Sequence, residues 1–445
     1  MSRLALNAPV LPWAIVLVIG IVVWDAWFRQ KQPVAWPEGE HTYEAVVISE
    51  PVAKPKTIAV DVLLLSTRQK IKCYIHTDER SSALTVGDGI VFSGRVQEIN
   101  DYRRGTFNYR RYMEVHGFTG SVYVAGWKWQ KRVLSLRNLS SIERCRISFL
   151  RLRHRLLLGY RQSGLGGDEY GVIAAMTLGD KSALTSELRE TYSMTGASHV
   201  LALSGLHLGI IYYVLSLLVV GRRFRAVSQL LVIIAIWAFA FLVGLPSSVV
   251  RSATMFSLYA LLSIGDRKKM SVNVLAVTAV CMLAANPLAL FDVGFQMSFM
   301  AVLGILLWVP LFDRLVSWSY MQDHPAVRWL WGLLTVSLAA QLAVAPLIAY
   351  YFNRFSTWFL LTNLVVIPAV SVILYVSLFM LVVPSLAAPV LGAIVAWLNS
   401  VLGAFSRLPL ASIEGLHPSV LTVAVIYAVI FAANLWLRQK AVARR

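Results

Sequence analysis

Charge is what this sequence has little of. Of 445 residues only 14% are Asp, Glu, Lys or Arg, where a soluble chain carries roughly a quarter. Acidic residues are the scarcer sign, 23 against 41 Lys and Arg, for a net charge of +18. Cysteine is rare as well. Cys73, Cys145 and Cys281 lie far apart with no CxxC and no His/Cys cluster, which argues against a disulfide framework or a zinc site. No metal and no cofactor is expected. There is no G-x-x-x-x-G-K-[ST] loop, so any driving force must come from a partner. No G-x-S-x-G elbow announces a hydrolase.

What is abundant is apolar sequence, 57% of the chain. Runs of about 17 or more mostly apolar residues follow one another, the pattern of a polytopic α-helical membrane protein. The first runs from Leu11 to Phe28, with Arg3 before it and Arg29 and Lys31 after. It is long, flanked by tryptophans and lacks an A-x-A-like site, so it reads as a retained span and not a signal peptide. Further spans are expected at 199–220, 227–244, 248–264, 272–288, 294–310, 329–351, 358–383, 388–406 and 418–437, about ten in all. Arg222, Arg223 and Arg225, then Arg267, Lys268 and Lys269, then Arg438, Lys440, Arg444 and Arg445 mark loops on one side. Loops around 245–247 and 286–292 carry no Lys or Arg. The positive-inside rule then predicts cytoplasmic termini and an external soluble domain.

The expected segments are 1–39 (first span and flank), 40–130, 131–165 and 166–445. Between His41 and Trp129, stretches such as YEAVVIS, TIAVDVLLLS and GIVFSGRVQEI alternate with the period of strands, separated by PVAKPK, TDERSS and VGDG. About five strands suit a small all-β barrel resembling an oligonucleotide/oligosaccharide-binding (OB) fold. Within it, DYRRGTFNYRRY interleaves Arg103, Arg104, Arg110 and Arg111 with Tyr102, Phe107, Tyr109 and Tyr112. Arginines for phosphates beside rings for base stacking is the composition of single-strand binding. A solvated basic loop whose rings plug the barrel has the same composition. From 131 to 161, nine Lys/Arg face one acid, Glu143, with Leu and Ile at near-helical spacing. This predicts a basic amphipathic helix in the plane of the lipid headgroups, or one facing a polyanion. Gly166 to Thr195 is expected to form re-entrant or interfacial helices, because EYGVIAAMTLG is too short to span.

The chemistry-bearing stretch is Thr195 to Ile210, TGASHVLALSGLHLGI, with two histidines, two serines and three glycines in apolar sequence. Polar groups in hydrocarbon need a partner or a function, so His199, Ser204, Gly205 and His207 require explanation. Ser204 and His207 share a helix face if the helix continues through Gly205. A catalytic Ser–His pair, a packed histidine and a cavity lining all fit. Arg251 follows a Pro246-Ser247-Ser248 break and must pair, face a cavity or snorkel. Gln296, Ser298, Gln341 and Asn363 recur in other spans, as helix–helix hydrogen bonds or as lining. Pro346 and Pro368 lie just beyond the last two, so kinked or broken helices are expected there. Three rival functions follow: a secondary transporter or flippase for a small anionic or lipid substrate, an intramembrane Ser/His hydrolase, and a tether anchored by the bundle.

These motifs resemble, in order, those of the ComEC-type competence proteins. TGASHVLALSGLHLGI is similar to a TGxxHxLAxSGLHxG pattern, and SVVRSATM to SxxRAxxM. NPLALFDVGFQMSFMAVLGI, SLAAQLAVAPLIAYYFNRFS and NLVVIPAV follow, and RGTFNYRRYMEVHGFTGSVYV is similar to the end of the family's N-terminal barrel. The resemblance implies a non-enzymatic inner-membrane channel for single-stranded DNA in natural transformation. Tyr102, Phe107, Tyr109 and the four arginines would bind DNA, and His207, Arg251, Gln296 and Gln341 would line the path. It also implies membrane lipids, a periplasmic DNA receptor, a separate nuclease, and a cytoplasmic motor or single-strand-binding proteins as partners. Many members continue into a metallo-β-lactamase-like domain with an HxHxDH motif, which this sequence lacks, so no nuclease activity is carried over.

Overall fold

Five strands alternate inward and outward side chains and build the N-terminal sheet: β1 (His41–Val47), β2 (Thr57–Leu64), β3 (Lys70–His76), β4 (Gly89–Gly94) and β5 (Phe118–Val124). In β3, Ile71, Cys73 and Ile75 point inward, while Lys70, Lys72 and Tyr74 stay partly exposed. The order across the sheet is β5–β3–β2–β1–β4, with β3 and β5 parallel and the other pairs antiparallel. Short strands Val52–Ala53 and Trp129–Lys131 add to β2 and β4. Just past β4, Gln97 and Ser121 exchange backbone hydrogen bonds of 2.8 and 2.9 Å, drawing the β4 end toward β5. Val60, Ile71, Ile90, Phe92, Val122 and Trp129 fill the interior; each such side chain contributes roughly 1.5–3 kcal/mol.

This computed structural model describes residues 20, 24, 36–104, 107–217, 225–264, 272–380 and 383–443. The expected span 11–28, apart from Gly20 and Trp24, lies outside the described residues. So do Arg222, Arg223, Arg267, Lys268, Lys269, Arg444 and Arg445.

Helix α1 (Tyr109–Val115) precedes β5 and is capped by Asn108, whose side chain accepts the Arg111 N–H. The basic segment then forms α2 (Ser141–Gln162), opened by a capping box between Ser140 and Glu143. Ile147, Leu150, Arg153, Leu157 and Tyr160 make one buried stripe. That stripe faces protein: Ile147 joins Val46, Ile48 and Leu63 of the sheet domain, and the Phe149 ring lies 5.8 Å from Phe241. The helix α3 (Gly167–Leu178) is buried from Tyr170 to Leu178. It packs into the largest buried cluster of the helical part, where small residues admit close neighbours. A Cβ on Gly171 would stand 2.8 Å from the Ala183 carbonyl oxygen. Then follow α4 (Ser186–Met194), α5 (Gly205–Leu217), α6 (Arg225–Leu242), α7 (Ser247–Ile264), α8 (Val272–Ala285), α9 (Val293–Phe312), α10 (Pro325–Phe352), α11 (Phe359–Met380), α12 (Pro384–Ser406) and α13 (Val420–Ala443).

Among the described residues, five helical stretches are long and apolar enough to cross a membrane: Val293–Leu315, Pro325–Phe352, Phe359–Met380, Pro384–Ser406 and Val420–Lys440. Gly205–Leu217, Ala226–Leu242 and Val272–Ala285 are apolar but shorter. Of the kinked or broken helices expected at Pro346 and Pro368, neither is broken. Both prolines lie inside continuous helices, α10 and α11, since neighbouring helices can accommodate the carbonyls a proline frees. Helices α9 and α10 cross closely at Gly304, where a Cβ would lie 2.5 Å from the Ala343 Cβ of α10.

Candidate functional site

The stretch 195–210 is an interrupted helix. Thr195 ends α4, Gly196 takes φ +78° in the left-handed region, and Ser198–Leu201 makes a single turn. Ala202 is extended at φ −99°, ψ 127°, and helix resumes only at Gly205. The span expected from 199 is therefore not helical throughout but is broken at 202–204, and a second turn precedes it at Gly196. Glycine alone takes φ +78° without strain, and at Gly196 a Cβ would sit 3.1 Å from Ser356.

Two side chains repair the break. The Leu203 carbonyl, deprived of a helical donor, accepts the Ser248 hydroxyl at 2.7 Å. At the restart, Ser204 N–H donates to His207 Nδ1 at 3.3 Å, and Ser204 Oγ lies 3.1 Å from the same nitrogen. The Ser204 N–H bond is one half of a capping box, with imidazole in place of Glu or Gln. An Nδ1 that accepts an amide N–H leaves the proton on Nε2, and Nε2 is buried without a hydrogen-bond partner. His207 is fully buried, whereas His199 is exposed, with Nδ1 3.0 Å from the Gly196 carbonyl oxygen. Gly205 faces α7, where a Cβ would stand 3.1 Å from Ser252 Oγ.

Arg251, one turn beyond Ser248 on α7, is 2% exposed, so it does not snorkel. Its guanidinium lies 3.4 Å from Ser247 Oγ and 3.9 Å from Asp292 Oδ1, and its Nε has no partner. Asp292 also caps α9, accepting the Phe295 N–H at 2.7 Å, and stands 3.8 Å from His116 Nε2 at the end of α1. One turn into α9, Gln296 donates to the Leu290 carbonyl (2.9 Å) and accepts from Tyr351 OH (2.7 Å). Three residues on, Arg354 holds Glu190 (2.8 Å) and Ser193 (2.9 Å) of α4. Segments far apart in the chain thus close on the interrupted helix. Ser298 and Gln341 are half-buried on α9 and α10. Asn363 of α11 has a buried, unpartnered Oδ1.

The basic-aromatic segment sits beside this site. Asn286 Nδ2 donates to the Val115 carbonyl at 3.0 Å, and the Arg111 guanidinium lies over the Phe291 ring at 4.6 Å. Arg110 is held by Glu114 at 2.9 Å and faces Glu98 at 3.9 Å. Tyr102 is exposed and Tyr109 packs on the small cluster of Ile99, Met113 and Phe118. Arg103 pairs with Asn108, and Arg104 with Phe107, in a short hairpin. The side chains of Arg103, Arg104 and Phe107 lie outside what the structure describes.

Sequence reasoning had not singled out Asp292, Tyr351, Asn286 or His116. For Asp292 a signal existed, an Asp directly before an apolar helical run, the ordinary mark of an N-cap. Tyr351 carried none, since its partner Gln296 is brought to it only by packing. Among the described residues no three His, Cys, Asp or Glu side chains gather to hold a metal.

A family model described as Competence protein matches residues 176–440. The chain is 29% identical over 269 residues to ComE operon protein 3 of Bacillus subtilis, covering 59% of this chain and 31% of that protein. It is 26% identical over 260 residues to Recombination protein 2 of Haemophilus influenzae, covering 56% and 32%. It is 23% identical over 228 residues to the uncharacterized protein YcaI of Escherichia coli, covering 49% and 30%. The matched part thus spans about a third of each of these relatives.

Proposed function

The chain belongs to the competence-protein family, and from that premise we propose that it forms the path by which single-stranded DNA crosses the inner membrane in transformation. The observation that carries this reading is an interrupted helix met by Ser248, Ser252 and Ser356 from distant segments, with the Arg251 guanidinium buried in apolar sequence one turn from Ser248. A polyanion crosses hydrocarbon only through a polar, partly cationic lining. His199, Ser204, Gly205, His207, Arg251, Gln296, Ser298, Gln341 and Asn363 form or shape that lining. Ser204 and His207 serve as helix-restart groups and not as a catalytic pair.

The sheet domain is an external collecting module. Its strand order, with one parallel pair and the Gln97–Ser121 closure, supports an OB-like barrel. Arg103 and Arg104 hold phosphates and Tyr102, Phe107 and Tyr109 stack bases. Arg110 and Arg111, already held by Glu114 and Phe291, contribute less to phosphates and more to seating the module on the bundle. About ten spans follow from the apolar runs, and cytoplasmic termini with an external sheet domain from the loop charges. A DNA receptor outside, a separate nuclease and a cytoplasmic motor or strand-binding protein complete the route.

The test is deletion in a transformable host, scoring labelled DNA that reaches a nuclease-protected cytoplasmic pool. Loss of that pool, restored by the wild-type chain, is expected. Normal uptake without any paralogue refutes the proposal. Purified full-length chain should also bind a single-stranded oligonucleotide with an affinity that falls steeply with salt. A secondary transporter would share the interrupted helix but show substrate flux indifferent to Tyr102→Ala in the sheet domain.

A further inference from the structure

Where the sheet domain, α2 and the end of α6 meet, there is a pocket of about 430 Å³. Its wall includes Glu50, Arg146, Arg153, Asp180, Lys181 and Arg189, and its floor is Val243 to Pro246, just past α6. Each acid here is engaged through at least one oxygen, Asp61 with Lys72 at 2.6 Å. Asp180 accepts from Ser182 Oγ at 2.9 Å and lies 3.7 Å from Arg153, while Glu50 Oε2 lies 3.2 Å from His154.

The donors are not. Arg146 and Arg153 reach carbonyls of Gly244 and Val243 only at 3.4 and 3.5 Å, and the Nε atoms of both are buried without an acceptor. Lys181 and Arg189 have no carboxylate within ion-pair distance among the described residues, and Arg189 instead donates to the Lys181 carbonyl. One acceptor is also orphaned, Glu50 Oε1. Buried polar atoms in a native protein find partners, and these atoms suit a molecule that accepts from guanidinium groups and donates to a carboxylate. A phosphodiester bearing a hydroxyl does both.

The surroundings say where such a group comes from. The floor of the pocket ends an apolar helix whose Leu230, Leu231 and Ile234 are exposed. The basic helix that forms the wall also exposes Ile142, Leu152 and Leu158 among its arginines. Apolar surface passes into cationic surface at this level, as it does at the phosphate plane of a bilayer. We propose that this pocket binds the headgroup of an anionic phospholipid of the phosphoglycerol class, with Arg146, Arg153, Lys181 and Arg189 on the phosphate and Glu50 on the glycerol hydroxyl. Such a lipid would pin the sheet domain to the membrane surface whatever crosses the bundle.

The test uses the full chain in detergent and reads the thermal midpoint against added short-chain phosphatidylglycerol. A saturable rise is expected, with little from phosphatidylcholine or inorganic phosphate. Arg146→Gln, and Lys181→Gln on the exposed rim, should each raise the half-saturating concentration about tenfold, as loss of a charge-assisted bond does. Glu50→Gln should weaken phosphatidylglycerol but leave phosphatidic acid, which has no headgroup hydroxyl, unchanged. Equal stabilisation by phosphatidylcholine, or variants that match wild type, overturns the site. Displacement of the lipid by a single-stranded oligonucleotide, lost in the same variants, overturns it in favour of nucleic acid.

Discussion

Ser204 and His207 meet at hydrogen-bond distance, and the same contact serves a cap as readily as a nucleophile. The two roles separate by substitution. As a restart contact, Ser204→Ala should cost about 1 kcal/mol and Ser204→Asn should restore much of it, since its amide N–H can donate to His207 Nδ1 as the hydroxyl does. Thermal unfolding of the purified chain reads this directly; a nucleophile would be replaced by neither residue. Asp292 carries more, because it faces buried Arg251 while capping α9. Asp292→Ala leaves a buried guanidinium unpaired, a loss of about 3–5 kcal/mol. Asp292→Asn keeps the cap oxygen and should fall in between. A midpoint of Asp292→Asn equal to that of wild type would show that the charge contributes nothing.

At the scale of elements, helix pairs are held by small residues and the interrupted segment by hydroxyls. Gly304 lets α9 approach α10 until their backbones almost touch, at Ala339 and Ala343. Without a hydrophobic force between helices in lipid, such close packing supplies much of the association. Gly304→Leu should separate the pair and cost about 1–3 kcal/mol or more, seen as a lower midpoint and reduced yield from the membrane. Unchanged yield and midpoint would mean that the crossing relaxes freely. The prolines teach the opposite lesson about reading elements. Pro346 and Pro368 look like breaks in the sequence, yet α10 and α11 run through them, whereas the true break at 202–204 contains no proline.

For the whole molecule, the sheet domain is seated on the bundle through α1, with Asn286, Phe291 and Asp292 of the bundle meeting Val115, Arg111 and His116. Beneath that seam Lys70 lies over Phe118 at 3.8 Å and reaches the His116 carbonyl at 3.4 Å. Burial holds its pKa down at about 8, from an ordinary 10.5. The unfolded chain therefore binds more protons between those values, and stability rises with pH across that window. Below about 8 the buried ammonium costs its full penalty, which is relieved as it deprotonates. Melting wild type and Lys70→Met side by side from pH 7.5 to 9.5 (~two units) should show a steeper rise in wild type. Parallel curves would place the ammonium in solvent.

The amino-acid sequence alone determined the class of this protein, because apolar runs, strand-period alternation and a charge-poor composition are local properties read within one window of chain. It also marked the motif residues, since His207 and Arg251 stand out against apolar neighbours. What it could not decide was partnership. Ser248 on Leu203, Tyr351 on Gln296 and Asp292 on Arg251 join residues from different segments, and no local pattern encodes such pairs. The helix break had the same origin: Gly196 permits it, but Ser248 from another helix supplies the donor that the broken carbonyl needs. Only tertiary packing brings that hydroxyl there, and so only tertiary structure decided that the stretch 195–210 is not one continuous span.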